Sequence, residues 1–376
     1  MDAIAPEANP DLFGHDEAQA LLLAGWDSGR LAHAWLITGP EGVGKASFAY
    51  RAARFLLNDG AGADASEPED SGAGLFGDDL PADQPAGAGA DLTIPTECET
   101  FDRVARRVHP DLRIIERTVN EKTNKLRSEI VVEDVRNVMP FLHTRATNGG
   151  WRVIVVDRAD EMNRAAQNAI LKTLEEPPQN VCLLLVATNP GKLLPTIRSR
   201  CRMLPLSPLG AEDMGRTLSA VAPDLDIETR MALIELADGS PGRALDLEQG
   251  GGLEMLEAIR GLASDLPGRL DYLALHALAD KLSSPRDTVP WVQFSDQWLW
   301  WLDHLLRSAA RGGGQAVDLH STDARLVARL PLGRLIELRD HAALTLGRTN
   351  SANLDKRMAV LELANALDKA MDGKAA

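Results

Sequence analysis

The residues with the clearest chemical potential form a glycine-rich loop, G-P-E-G-V-G-K, at positions 39–45. Glycines let a backbone fold around phosphates with several N–H groups pointing inward, and a lysine at the end of such a loop reaches the terminal phosphates. An apolar run at 34–38 precedes the loop, and a helical pattern at 47–57 follows it. This strand–loop–helix order predicts a nucleotide-binding P-loop, whose phosphate contacts come from Gly39, Gly42, Gly44 and Lys45.

A second chemical feature is an acid at the end of an apolar strand pattern. The run V-I-V-V at 153–156 ends in Asp157, and such a position is where nucleotide enzymes hold Mg²⁺. The loop lacks the other usual Mg²⁺ ligand, because its lysine is followed by Ala46 instead of Ser or Thr. Ser47 lies one residue further along the helix, rotated by roughly 100°, and should not replace that hydroxyl simply. The sequence therefore predicts a P-loop fold with a degenerate nucleotide site.

Three further motifs follow this strand. A helical pattern N-A-I-L-K-T-L-E-E at 168–176 is stopped by two prolines, an apolar run at 181–187 ends in T-N-P, and the triplet S-R-C occupies 199–201. Together with the loop and the V-V-D strand end, this order resembles the clamp-loader branch of the AAA+ ATPases. The resemblance is clearest over residues 12–57 and 108–206. The L-K-T-L-E-E-P-P run combined with S-R-C is much more specific than the loop alone.

The resemblance implies roles for three polar residues. The arginine of S-R-C, Arg200, would reach across a subunit boundary as an arginine finger and stabilise the charge on a phosphoryl group held by a neighbour. Thr188 matches the family's polar sensor of the γ-phosphate, and Arg243 matches the second-sensor arginine of the helical lid. Each residue also has a plain structural alternative. Arg200 could be an ion-pair partner, Thr188 a local backbone hydrogen bonder, and Arg243 a solvated arginine in the first turn of a helix.

The strand end departs from active members of this family, in which the aspartate is followed by a glutamate that polarises the attacking water. Here Asp157 is followed by Arg158, and an arginine cannot accept a proton at neutral pH. With Ala46, two independent parts of a hydrolytic site are altered. We therefore expect weak ATP or ADP binding at most, and no ATP hydrolysis by this chain. The alternative is an active AAA+ ATPase in which Asp160 or Glu161 replaces the missing carboxylate.

The formal charge of −15 comes mostly from one segment. Residues 58–101 contain eleven acidic residues and no Lys or Arg, and the rest of the chain carries −4. The segment is rich in Gly, Ala, Asp and Pro, so it cannot bury enough apolar surface to offset its ordering entropy. We expect a disordered acidic insert at about 58–101. Its single cysteine, Cys98, cannot form the four-cysteine zinc module that the family often carries there, so we predict no zinc and no other metal.

The order of patterns predicts three domains. Strands alternate with helices over 1–206, which indicates an α/β core with a parallel sheet and helices on both faces, as in the AAA+ P-loop core that the resemblance implies. Residues 207–249 match the family's small helical lid. Residues 250–376 read as an all-helical domain, which the family uses as an oligomerisation collar. A cluster of tryptophans between 291 and 301 is either a set of interface anchors or plain helical core.

The resemblance also implies a function. It is that of a non-hydrolysing subunit of a clamp loader, the assembly of bacterial DNA polymerase III that loads a sliding clamp onto primed DNA during replication. The chain would have no ATPase or polymerase activity of its own and would require no cofactor. Its partners would be the ATP-binding tau/gamma subunits, the delta subunit, the beta sliding clamp and, through the assembled complex, primed DNA.

Membrane and export signals are not found in the sequence. No apolar run approaches the 18 or so residues of a membrane span, and the first ten residues have neither the basic start nor the apolar stretch of a signal peptide. We therefore expect a cytoplasmic, replisome-associated protein without a membrane partner.

Overall fold

The contacts of the chain divide it into two units, Met1–Leu245 and Asp246–Ala376. The computed structural model describes residues 4–58, 91–120, 125–144, 146–147, 150–284, 289–310, 320–352 and 354–373.

The described strands all belong to the first unit. They are β1 (Ala34–Thr38), β2 (Leu112–Ile115), β3 (Val119–Asn120), β4 (Lys125–Leu126), β5 (Arg152–Val156), β6 (Val181–Ala187) and β7 (Arg202–Pro205). Five of them form a parallel sheet in the order β2-β5-β6-β1-β7, and β3 and β4 form a separate antiparallel pair. Strands β1, β5 and β6 are buried along their whole length, which is typical of parallel strands covered on both faces.

Nine described α-helices begin in the first unit, and the last of them continues past its boundary at Leu245. They are α1 (Asp16–Asp27), α2 (Lys45–Leu57), α3 (Glu99–Ala105), α4 (Val132–Val138), α5 (Arg164–Glu175), α6 (Pro195–Arg198), α7 (Ala211–Val221), α8 (Ile227–Leu236) and α9 (Pro241–Gln249). Local signals set several of their ends. The Asn163 side chain accepts from the Ala166 N–H at the start of α5, at 2.9 Å, and the Asp226 side chain caps α8 in the same way. Two prolines follow α5 closely and prevent its continuation.

Side chains alternate between the two faces of the sheet and feed two separate apolar clusters. From β6, Cys182, Leu184 and Val186 join one cluster together with the apolar face of α2. The intervening residues, among them Leu183 and Leu185, join the other cluster together with α4 and α5. The period of two is the geometry of a strand buried on both sides. The predicted α/β fold, with a parallel sheet covered by helices on both faces, is confirmed.

The end of the acidic segment corrects the expectation of disorder across 58–101. Residues 59–90 lie outside the described part of the chain, but 91–101 are folded onto the core. Leu92 and Ile94 are buried, and α3 begins at Glu99. These apolar side chains offset the ordering entropy that the acid-rich composition alone could not.

The second unit is helical in its described part. Its helices are α10 (Gly252–Ala263), α11 (Tyr272–Leu282), α12 (Val289–Ala310), α13 (Ser321–Arg329), α14 (Leu332–Ser351) and α15 (Lys356–Met371). Trp291, Trp298 and Trp301 of α12 are almost fully buried within the unit, so these tryptophans form helical core. The indole Nε1 of Trp301 donates to Asp323 at 2.8 Å, and the Asp323 carboxylate also accepts from Arg260 at 2.5 and 3.1 Å.

Among the described helices, none combines the length and the apolar character that crossing a bilayer requires.

Candidate nucleotide site and arginine finger

The glycine-rich loop connects β1 to α2 and has the backbone conformation of a phosphate cradle. Gly39, Gly42 and Gly44 have φ values of 150°, 73° and 104°, in the region that side chains disfavour. A Cβ added at Gly39 would lie 2.4 Å from the Leu206 carbonyl oxygen. Lys45 begins α2, so the N–H groups of the first helical turn point into the loop. The predicted strand–loop–helix arrangement is confirmed.

The lysine of the loop is folded back onto the loop backbone. Its side chain is 6% exposed, and Nζ donates to the carbonyl oxygens of Gly39 at 2.8 Å and Pro40 at 2.5 Å. Burial lowers the pKa of Lys45, although the nearby carboxylates of Glu41 and Asp160 act in the opposite direction. The ammonium group therefore lies against the carbonyl oxygens of its own loop.

A cavity of about 310 Å³ lies against this loop, at the small end of the range for ligand sites. Four parts of the first unit line it: the N-terminal segment, the loop with the start of α2, the ends of β5 and β6, and the lid. Apolar lining comes from Leu12, Phe13, Leu209, Val221 and Leu245. The cavity therefore has one end lined by the backbone of the loop and another that is apolar.

The N-terminal segment is fixed to the loop through His15. Its Nε2–H donates to the carbonyl oxygen of Val43 at 3.0 Å, and burial lowers the pKa of this imidazole. His15 has a left-handed backbone conformation with φ 64° and directly precedes α1. The sequence pattern did not single out this residue, because its partner is 28 positions away.

The lid lies directly on the P-loop. The Ser240 hydroxyl donates to the Glu41 carbonyl oxygen at 2.8 Å, and the Gly242 N–H donates to the Gly42 carbonyl oxygen at 2.9 Å. A Cβ on Gly242 would lie 2.7 Å from the Gly42 Cα. Two backbones approach this closely only where both residues are glycine. Ser240 and the first turn of α9 therefore cover one side of the loop.

The acid at the end of β5 lines the cavity, and the arginine after it does so too. Burial raises the pKa of Asp157 above its ordinary value. Arg158 has φ 53°, and its guanidinium pairs with Glu41 at 3.0 Å and with Glu161 at 3.1 Å. Arg158 thus follows the strand-end aspartate directly. In the active members of the family that the sequence resembles, this position carries a glutamate that accepts a proton.

The two carboxylates considered as substitutes both have other partners. Asp160 accepts the backbone N–H groups of Thr188 at 3.3 Å and Asn189 at 2.8 Å. Glu161 pairs with Arg158 and, at 2.9 Å, with Arg117. Neither acid is among the residues that line the cavity. Their role in the structure is to fix the ends of β5 and β6.

The two sensor candidates have different positions. Thr188 follows β6 and lines the cavity, as the resemblance implies. Arg243 lies in the first turn of α9, as expected from the sequence, and its N–H donates to the Ser240 hydroxyl at 3.2 Å. It is not among the lining residues, although its neighbours Pro241 and Gly242 are.

Arg200 lies where the parallel strands begin, whereas the P-loop lies where they end. It follows α6 and comes just before β7, which runs parallel to β1 with Arg202 opposite Trp35. The P-loop follows the other end of β1. The Arg200 guanidinium is held by Glu175 at 3.0 Å and by the Thr196 carbonyl oxygen at 3.1 Å, with its side chain 36% exposed. Glu175, from the L-K-T-L-E-E-P-P run, is a partner that the sequence analysis did not identify.

A P-loop at the carboxyl edge of a five-stranded parallel sheet, covered by a small helical lid, is the arrangement of the AAA+ class, and the chain has this fold. Comparisons with known proteins narrow the class. A family profile described as DNA polymerase III, delta subunit, matches residues 87–210. The chain is 34% identical over 210 residues to DNA polymerase III subunit delta' of Pseudomonas aeruginosa, which covers 56% of this chain and 54% of that protein.

Two further relatives agree with this match. The chain is 29% identical over 311 residues to DNA polymerase III subunit delta' of Escherichia coli, with 82% of this chain and 79% of that protein covered. It is 29% identical over 246 residues to subunit tau of Escherichia coli, with 64% and 32% covered. The chain thus spans about half the length of the Pseudomonas relative and more of the second. The chain is therefore similar to delta' subunits of DNA polymerase III over most of its length, and to tau and gamma subunits over about two thirds of it.

Proposed function

We propose that this chain is a structural subunit of a DNA polymerase III clamp loader, which completes a neighbouring subunit's ATP site with Arg200 and does not hydrolyse ATP itself. In this role it helps to load the beta sliding clamp onto primed DNA, together with tau/gamma and delta subunits. The observation that carries the proposal is the position of Arg200, which lies away from the chain's own P-loop.

The distance between Arg200 and the P-loop follows from the register of the sheet. Between Ala34 and Thr38, β1 advances by four residues, or about 13 Å at roughly 3.3 Å per residue. Arg200 precedes β7, whose first residue lies beside the start of β1, and the P-loop follows the end of β1. An arginine finger must contact the phosphoryl group that it stabilises. A catalytic role for Arg200 therefore requires a nucleotide held by another subunit.

The absence of hydrolysis rests on the strand end. Arg158 stands where a general base is needed, and such catalysis is typically worth about 10²–10⁴ in rate. The alternative ATPase would require Asp160 or Glu161 to leave its backbone or arginine partners and reach a water in the cavity. Ala46 removes the Mg²⁺-binding hydroxyl as well. These contacts favour the non-hydrolysing function.

A residual nucleotide site forms the second part of the proposal. Gly39, Gly42, Gly44 and Lys45 keep the phosphate cradle, and Asp157, Thr188 and Arg243 would complete a degenerate site. Binding of ATP or ADP in this cavity would hold the lid and the core together, and it would require no turnover.

The decisive test is ATP hydrolysis by the reconstituted loader with clamp and primed DNA. Arg200→Ala is compared with wild type, and Arg198→Ala serves as the control, because Arg198 is exposed and lies at the end of α6. A finger is worth about 10³–10⁵ in kcat at the site it serves. We therefore expect Arg200→Ala to assemble normally and to lose hydrolysis at one site, while Arg198→Ala retains it.

Two outcomes would overturn the proposal. Normal turnover by an assembled Arg200→Ala loader would reduce the subunit to a scaffold. ATP hydrolysis by the chain alone, abolished by Lys45→Ala, would establish the alternative of an active ATPase.

A further inference from the structure

The nucleotide cavity does not fit a magnesium ion. In P-loop sites the metal is held by a Ser or Thr hydroxyl after the lysine, by a strand-end carboxylate and by phosphates. Here Ala46 lines the cavity without any oxygen on its side chain. Asp157 lies at the strand end, whereas Glu41, the acid of the loop itself, is paired with Arg158. Across the described residues, no group of three or more His, Cys, Asp or Glu side chains is placed to hold a metal.

Two side-chain cations line this end of the cavity. Arg158 directly follows Asp157, lines the same cavity as Lys45, and interacts electrostatically with both. A Mg²⁺ ion beside two side-chain cations would meet repulsion, whereas a polyphosphate would be attracted by both. The left-handed backbone of Arg158 at φ 53° and its pairing with Glu161 fix the base of this side chain near the loop.

The contacts of Arg158 leave one side of its guanidinium exchangeable. Its pair with Glu41 is exposed, with 51% and 71% of the two side chains accessible, and such surface pairs are worth only about 0–1 kcal/mol. Its other partner, Glu161, is 22% exposed and also held by Arg117. A phosphate oxygen can therefore replace Glu41 while Glu161 continues to orient the guanidinium. Arginine suits this exchange because its planar N–H groups match phosphate geometry.

We propose that this cavity binds a nucleoside di- or triphosphate without Mg²⁺, with Arg158 and Lys45 neutralising the phosphates in place of the metal. The inference rests on the proposed residual nucleotide site, and it adds which groups neutralise the phosphates there. Metal-free binding also agrees with a site that does not turn over, because a nucleotide without its metal lacks the ion that stabilises charge during phosphoryl transfer.

The test is ADP binding to the full chain by calorimetry, in Mg²⁺ and in EDTA. Wild type is expected to bind ADP with the same Kd, within about two-fold, under both conditions. Arg158→Glu restores the acid that active relatives carry, and it should weaken binding in EDTA by at least about ten-fold. Arg106→Glu is the matched charge reversal, since Arg106 is exposed and pairs with Asp102 on its own helix, and it should bind as wild type does.

Two further variants test the mechanism directly. Glu41→Gln removes the competing carboxylate and should tighten ADP binding by up to about five-fold, the upper value for an exposed pair. The double variant Ala46→Thr with Arg158→Glu rebuilds the metal ligands and should bind ADP better in Mg²⁺ than in EDTA. Circular dichroism and thermal unfolding verify that each variant is folded.

The outcomes separate this inference from the proposed function. Loss of wild-type ADP binding in EDTA with retention in Mg²⁺ would overturn the metal-free chemistry and leave the nucleotide site in place. No ADP binding under either condition would overturn both the inference and the residual nucleotide site. Unchanged affinity in a folded Arg158→Glu variant would exclude Arg158 from binding. None of these results depends on Arg200, which the loader assay tests separately.

Discussion

The close contact between the lid and the P-loop predicts that a single methyl group added at Gly242 will make the lid open much more often. In Gly242→Ala the added Cβ would lie 2.7 Å from the Gly42 Cα and 3.1 Å from the Gly42 carbonyl oxygen. Both atoms are backbone, so they cannot rotate away as a side chain would, and the two segments must separate. Separation removes the hydrogen bond from the residue 242 N–H to Gly42, worth about 1 kcal/mol. If the segments stay together instead, overpacking costs about 1–3 kcal/mol.

Either effect destabilises the closed contact, and together they bracket a decrease of about 1–3 kcal/mol in the free energy of opening the lid. Because each 1.36 kcal/mol is a factor of ten, amide exchange in this contact should accelerate by about 5- to 150-fold. Hydrogen–deuterium exchange followed by mass spectrometry, over 41–45 and 240–245, measures this opening directly. Exchange over β5 should remain close to wild type, because the sheet does not depend on the lid contact.

The control is Gly210→Ala, a glycine-to-alanine change in the same lid. Gly210 caps α7 with φ −67°, and an added Cβ there meets nothing within 4 Å. It should leave exchange over 240–245 unchanged. If Gly242→Ala exchanges at the wild-type rate in this segment, the lid is not fixed by the close approach of Gly42 and Gly242, and the reasoning fails.

Two other predictions concern buried polar groups. Asp323→Ala should lower the free energy of unfolding of the second unit by about 3–5 kcal/mol in urea titrations, because it removes the buried partner of Arg260 and leaves only the exposed Glu257. Asp265→Ala, at an exposed carboxylate of the same unit, is the control, and an equal loss in both variants would contradict the prediction. His15 should make stability depend on pH. Its pKa is lowered by burial, so its stabilising contribution is complete above the ordinary pKa of about 6.5 and is lost as the pH falls below it, toward the folded-state pKa. The difference in unfolding free energy between wild type and His15→Gln should therefore shrink on acidification, and a difference independent of pH between about 7.5 and 5.5 would refute this.

The sequence identified those parts of the candidate site that depend on residues close together in the chain. The conformation of the loop at 39–45 could be predicted because glycine readily adopts the backbone angles found at Gly39, Gly42 and Gly44. The runs that became β5 and β6 are apolar throughout, which is typical of strands covered on both faces. Asp157 followed by Arg158 is visible without coordinates, and so is Ala46. These features were sufficient to predict the parallel P-loop fold and a degenerate site.

Other parts of the site depend on residues far apart in the chain. Ser240 reaches the carbonyl of Glu41 across 199 positions, and Arg158 reaches the Glu41 side chain across 117. Nothing in the sequence near either residue indicates such a partner. Composition alone also assigned too long a segment to the acidic insert, because the burial of Leu92 and Ile94 depends on the core that they contact.

Sequence alone was enough to predict the fold class, the glycine-rich loop and the absence of a hydroxyl after its lysine and of an acid after Asp157. These follow from backbone angles, hydrophobic periodicity and side-chain chemistry, which are properties of neighbouring residues. The contacts of Arg158, Asp160 and Arg200 became visible only in the folded chain. A charged side chain on a surface can pair with any carboxylate within its reach, and the choice is made when the sheet aligns its strands and brings distant segments to the same edge.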